Sequence, residues 1–131
     1  MFREVLRKVC VTELKHEVVG EAGDGRTAVG LALTTSPDLV LLDLHLPNLD
    51  GFSVIEALRQ IAPDIRILVL SSHCDEYTVW RSERTRVLGF VDKNTNTVAT
   101  LQQAIAAVGE GRTYFSETFK RVKAARHKDS R

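Results

Sequence analysis

The stretch from Pro37 to Gly51, Pro-Asp-Leu-Val-Leu-Leu-Asp-Leu-His-Leu-Pro-Asn-Leu-Asp-Gly, constrains this chain more than any other. Leu39, Val40, Leu41 and Leu42 make a continuous apolar run too short for a helix, bounded by Pro37 upstream and by Pro47 and Gly51 downstream. Such a run is a strand buried on both faces, the kind found in parallel sheets. A carboxylate, Asp43, ends it. At the carboxyl edge of a parallel sheet an acid stands where open α/β folds place their ligands. An acid at a strand end also serves as a turn former or helix cap, so the position alone does not define a function.

The rest of the chain repeats the pattern. Phe2, Val5, Leu6, Val9 and Cys10 recur at helical spacing between Arg3, Glu4, Arg7 and Lys8, so the chain opens inside an amphipathic helix with no strand before it. Glu17 to Ala22 is expected as a short strand. Asp24 is expected to cap a helix through Leu33 with Ala28, Leu31 and Ala32 inward. Phe52 to Ile61 is the next helix, ending before Pro63. Ile65 to Leu70 and Leu88 to Val91 are further strands. Asp75 opens an irregular helix between them, expected to pack poorly. Val98, Leu101, Ile105 and Val108 line the last regular helix, stopped by Gly109 or Gly111. Alternating strands and helices define an α/β chain with a parallel sheet covered on both faces.

Composition narrows the class. One chain of 131 residues suits a single domain. No apolar run approaches the roughly 18 residues of a membrane span, and the start lacks a signal peptide's apolar core, so a cytoplasmic location is expected. Two cysteines, Cys10 and Cys74, fit reduced thiols rather than a disulfide framework. Lys120, Arg121, Lys123, Arg126, Lys128 and Arg131 stand against Asp129 alone. With a net charge of +1 overall, the part before them is net acidic. Residues 116–131 are expected as a basic helical tail or linker after a domain at 1–115. His73-Cys74-Asp75 offers metal-ligand types, but adjacent residues at a strand end rarely converge on one ion.

Asp43-x-x-x-Pro47-x-x-Asp50-Gly51, with Ser71 closing Ile65 to Leu70 and Lys93 following Gly89-Phe90-Val91-Asp92, resembles the site of bacterial response-regulator receiver domains. Gly20-Glu21-Ala22 with Asp24-Gly25 is similar to the subfamily bearing a LuxR-type helix-turn-helix output. The resemblance implies a flavodoxin-like (CheY-like) sheet. It makes Asp43 the phosphoacceptor for a histidine kinase partner, Lys93 the cation on the phosphoryl oxygens, and Ser71 a hydroxyl donor. Phe90, on a strand expected to be partly exposed, becomes the switch aromatic that swings inward with Ser71. It also implies Mg²⁺, held by Asp43, the backbone carbonyl of His45 and an acidic pair after the first strand. That pair and strand are absent here, so Mg²⁺ binding is expected to be weak or missing. DNA would be reached only through an output domain not contained in this sequence.

In the implied strand order 2-1-3-4-5 the absent strand is the second of the five. Burying about five apolar side chains is worth on the order of 10 kcal/mol, comparable to a whole domain's stability. The expected remedies are movement of the second strand beside the third, or a homodimer or strand-exchanged oligomer. A phosphorylation-independent pseudo-receiver acting as a pairing or interaction module is the alternative function. Asp43-Leu44-His45 is also similar to the opening of haloacid-dehalogenase-type phosphatases, but the second aspartate is lacking, so turnover of a free substrate is not expected.

Overall fold

A computed structural model describes residues 2–45, 50–94 and 97–129, without the side chains of Phe2 and residues 127–129. Pro47 and the tail cations Lys128 and Arg131 therefore lie outside the described residues or side chains. Four strands, β1 (Leu39–Asp43), β2 (Arg66–Ser71), β3 (Gly89–Asp92) and β4 (Tyr114–Phe115), form one sheet in the order β1-β2-β3-β4. Every neighbouring pair is parallel. The helices are α1 (Phe2–Lys8), which runs into a π-helical turn at Val9–Glu13, α2 (Gly25–Thr35), α3 (Gly51–Ile61), α4 (Glu76–Arg84), α5 (Val98–Gly109) and α6 (Glu117–Asp129).

Alternation along the strands builds two cores. Ile67, Val69 and Phe90 point to one face, where they pack with Ala32, Val54, Ile55, Leu58, Val79 and Phe119 from α2, α3, α4 and α6. Leu68, Leu70 and Val91 point to the other, against Leu6, Val9 and Cys10 at the N-terminus and Leu101, Ala104, Ile105 and Val108 of α5. Residues of a strand alternate between faces, so both covers are required by the apolar runs themselves. Gly89 is needed at the crowded start of β3. A Cβ there would lie 2.6 Å from Leu68 Cδ1, 2.8 Å from Val108 Cγ2 and 2.9 Å from the Tyr114 carbonyl oxygen.

Several expectations change. Glu17 to Ala22 is not a strand. A strand exists only through ladder bonds to a neighbour, and this segment has none: it did not move beside β1, which remains a sheet edge. Between them lies a cavity of about 410 Å³, lined by Leu6 of α1, Val18 and Val19 of the segment, Leu31 of α2, and Leu39 and Leu41 of β1. The first and last core-forming helical faces nevertheless keep their support. Leu6 and Val9 pack with α5 and the middle of the sheet, Leu6 also reaching the cavity, and Leu101, Ile105 and Val108 are at most 1 % exposed. Val5, expected inward, is 37 % exposed.

The helix after Asp75 is regular. The Asp75 carboxylate accepts from the backbone N–H of Thr78, and Thr78, Val79 and Ser82 are buried. The Thr85 hydroxyl donates to the carbonyls of Arg81 and Ser82, closing the helix, and Arg86 then takes a left-handed φ of 59°. The side chain of Arg59 donates to the carbonyls of Thr85, Pro63, Ile65 and Arg86, fixing that turn. Of the two forms expected for the tail, Glu117–Asp129 takes the helical one. In α6, Phe119 is 2 % exposed, with its ring 4.7 Å from Phe115 and 5.1 Å from Phe90. Lys123 and Arg126 each reach Glu83 of α4 at 3.1 Å.

Candidate functional site

Three strand ends converge. In the parallel register Asp43 of β1 stands opposite Leu70 of β2, and Ser71 opposite Asp92 of β3, so Asp43, Ser71 and Lys93 gather at one carboxyl edge. The backbone ties them together: Leu44 N–H donates to the Leu70 carbonyl at 3.2 Å and Lys93 N–H to the Ser71 carbonyl at 2.9 Å. Lys93 Nζ lies 2.7 Å from Asp43 Oδ2, with side-chain exposures of 26 % and 27 %. Partial burial makes this a stronger pair than one on open surface. The other carboxylate oxygen, Oδ1, accepts from the His45 N–H at 2.8 Å.

The helix behind the site is started by Asp50, whose carboxylate accepts from the N–H groups of Phe52 and Ser53 and from the Ser53 hydroxyl. That last hydrogen bond, helped by the backbone donors and opposed by burial, holds the Asp50 carboxyl below its ordinary value. Gly51 lets this helix press against the turn after β1. A Cβ would meet Leu44 Cα and Cδ2 at 2.6 Å, which no side chain could relieve without moving backbone. The Asp-Gly pair thus has a steric cause.

The predicted residues are not all in contact. Asp43 and Lys93 meet directly. The Ser71 hydroxyl is 1 % exposed as a residue and is engaged by its own turn, donating to the His73 carbonyl at 2.8 Å while accepting the His73 N–H at 3.0 Å. Phe90, expected partly exposed, is 0 % exposed. The reason is α6, whose Phe119 covers it. Sequence reasoning missed this cover, although Phe119 and Val122 stand at helical spacing at the start of the basic stretch. It also missed Glu83 as the anchor for Lys123 and Arg126. Cys74 is half-buried, and its thiol is pushed up to about 11 by burial and then by the charges of Asp92 and Asp75, so it remains a protonated thiol near neutrality.

The residues present do not make a Mg²⁺ cage. Mg²⁺ demands an octahedron of oxygens. Here one carboxylate has both oxygens partnered, and no cluster of three or more His, Cys, Asp or Glu side chains suited to an ion exists among the described residues. What the arrangement does offer is a half-shielded carboxylate with an ammonium beside it, open to an anion approaching the sheet edge.

A parallel α/β sheet with an acid, a hydroxyl and a lysine at successive strand ends is the arrangement of a receiver domain. Residues 1–106 match the response regulator receiver domain, and the chain belongs to that family. It is 33 % identical over 114 residues to the transcriptional regulatory protein DegU of Brevibacillus brevis, covering 87 % of this chain and 48 % of that protein. To the positive transcription regulator BvgA of Bordetella pertussis it is 35 % identical over 111 residues, covering 85 % and 53 %. The chain thus spans about half the length of these relatives. Among solved structures, a LuxR-family response regulator from Aurantimonas sp. SI85-9A1 superposes with a TM-score of 0.85 at 30 % identity, covering 95 % of this chain and 89 % of that one. The receiver domain of a putative NarL regulator from Mycobacterium tuberculosis gives 0.77 at 32 %, covering 85 % and 89 %. No described helix is long and apolar enough to cross a membrane.

Proposed function

We propose that the chain is the phosphoacceptor receiver of a two-component response regulator, phosphorylated on Asp43 by a histidine kinase and acting on a DNA-binding output domain. The observation that carries this reading is the 2.7 Å approach of Lys93 Nζ to Asp43 Oδ2 at the edge where Ser71 also ends. In the transfer, an Asp43 oxygen forms a bond to phosphorus as the bond from phosphorus to the kinase imidazole nitrogen breaks. The nitrogen keeps the electron pair and takes up a proton. The Lys93 ammonium offsets charge on the equatorial oxygens, the main service a protein gives phosphoryl transfer. The Ser71 hydroxyl must leave the His73 carbonyl to reach a phosphoryl oxygen, so its rotation is coupled to the transfer. The switch then passes through Phe90, whose ring packs at a tilt against Phe119 of α6. On this reading the chain is regulatory rather than a turnover enzyme.

Incubating the chain with a small acyl phosphate, with and without Mg²⁺, and weighing it intact tests the assignment. Slow, partial addition that vanishes in Asp43→Asn is expected, because the described residues bring no second acid to hold a metal. Addition that persists in Asp43→Asn would place the acceptor elsewhere. No addition to the wild type, from acyl phosphate or a phosphorylated kinase domain, would favour a phosphorylation-independent pairing module.

A further inference from the structure

The rings of two histidines beside Asp43 have no part in the phosphoryl chemistry just described. His45 leaves β1 two residues after Asp43 and His73 leaves β2 two residues after Ser71, and the parallel register of these strands carries both to one edge of the sheet. Both residues are exposed, yet their ring centroids lie 4.7 Å apart and His45 Nε2 stands 3.0 Å from His73 Nδ1. A hydrogen bond between neutral groups in water contributes little to stability. Holding two exposed side chains in one geometry costs a similar amount in entropy. Stability alone is a weak reason for this approach.

The geometry suits an ion. Imidazole nitrogens bind Zn²⁺ at about 2.0–2.1 Å, so two on neighbouring coordination positions, between a right angle and a tetrahedral angle, stand about 2.9–3.4 Å apart. The observed 3.0 Å falls inside that window. With each ring's proton on its far nitrogen, His45 Nε2 and His73 Nδ1 both present a lone pair.

We propose that His45 and His73 form a site for a divalent transition ion that prefers imidazole, such as Zn²⁺, Ni²⁺ or Cu²⁺, with water completing its coordination. Nitrogen ligands select these ions over Mg²⁺. Neighbouring side chains are otherwise occupied: Asp43 by Lys93 and the His45 N–H, Asp75 by its helix cap. Two protein ligands leave an open site of moderate affinity. An ion held there would pin the turn after β1 to the turn after β2 and bring positive charge beside Asp43. The site rests on the two rings and their spacing, not on Asp43 being phosphorylated, so failure of the acceptor assignment would leave it standing.

Calorimetric titration of the whole chain with Ni²⁺, without phosphodonor or other metals, tests it. One ion per chain is expected, with affinity lowered at least about tenfold in His45→Ala and in His73→Ala, and unchanged in His16→Ala. Because both rings are exposed, the variants should keep the wild-type melting temperature in the absence of metal. In the wild type alone, paramagnetic Ni²⁺ should broaden the ring resonances of His45 and His73 ahead of those of His16 and His127. Absence of stoichiometric binding, wild-type affinity in the His45→Ala/His73→Ala double variant, or broadening that spares these two rings would overturn the proposal.

Discussion

Replacing Phe119 with alanine should release α6 while leaving the sheet intact. Phe119 is 2 % exposed and contacts Phe115 and Phe90, so its truncation belongs with buried Phe→Ala changes, about 3–5 kcal/mol. Little else holds the helix. Val122 packs against the core only in part, and the two ion pairs on Glu83 involve partly exposed groups worth roughly 0.2–1 kcal/mol each. A helix of 13 residues is marginal in isolation, so once undocked it should melt. Local opening is therefore less costly than global unfolding, which must also break the ladders of β1, β2 and β3. Hydrogen exchange read by mass spectrometry should show residues 117–129 losing protection in Phe119→Ala while β2 keeps it. Trypsin should cut at Lys120, Arg121 and Lys123 with the core still folded. Lys123→Ala, by contrast, should change little. If residues 117–129 stay protected in Phe119→Ala, or if β2 loses protection in parallel with them, the docking argument fails.

Gly89→Ala should lower stability by about 1–3 kcal/mol in denaturant titration, since the added methyl meets Leu68, Val108 and the Tyr114 carbonyl at once. Arg86→Gly should raise it by about 1 kcal/mol, because the left-handed φ of 59° strains arginine but not glycine and the Arg59 bond uses only the backbone carbonyl. Acid titration followed by circular dichroism should show the contributions of Asp50 and Asp75, both held below their ordinary values, Asp50 chiefly by the Ser53 hydroxyl and Asp75 by the Thr78 N–H. A depressed folded value stabilises above the unfolded carboxylate value, near ~4, and that stability is lost as pH falls through the folded one. Asp50→Asn should flatten the profile in that range and lower stability at neutral pH, where the Asp50 contribution is fully present.

Strands β1, β2 and β3, with Asp43 and Ser71 at their ends, were legible because each rests on a local signal, an apolar run closed by a polar residue, whereas the two-residue β4 carries none. Glu17 to Ala22 misled because strand character is shared with a partner, and no composition within a segment reveals that the partner is missing. Phe90 misled for the converse reason: its cover arrives 29 residues later, in a stretch whose charge reads as solvated. The helix after Asp75 looked irregular when judged by its apolar content alone. Its substituents serve other ends, Thr85 as a cap and Glu83 as a counter-charge for α6. The meeting of His45 and His73 depends on strand register, which no spacing within the sequence announces.

The docking of α6 gives the molecule a mechanical reach. Between Phe119 and Asp129 the helix runs about 15 Å at 1.5 Å per residue. The aromatic stack at its near end acts as a fulcrum seated on Phe90. A tilt of about 10° there moves the far end by roughly 3 Å, a displacement on the scale of helix shifts in known switches. A rotamer change inside the sheet, too small to alter the surface locally, would be read out at the distal end of a rigid arm.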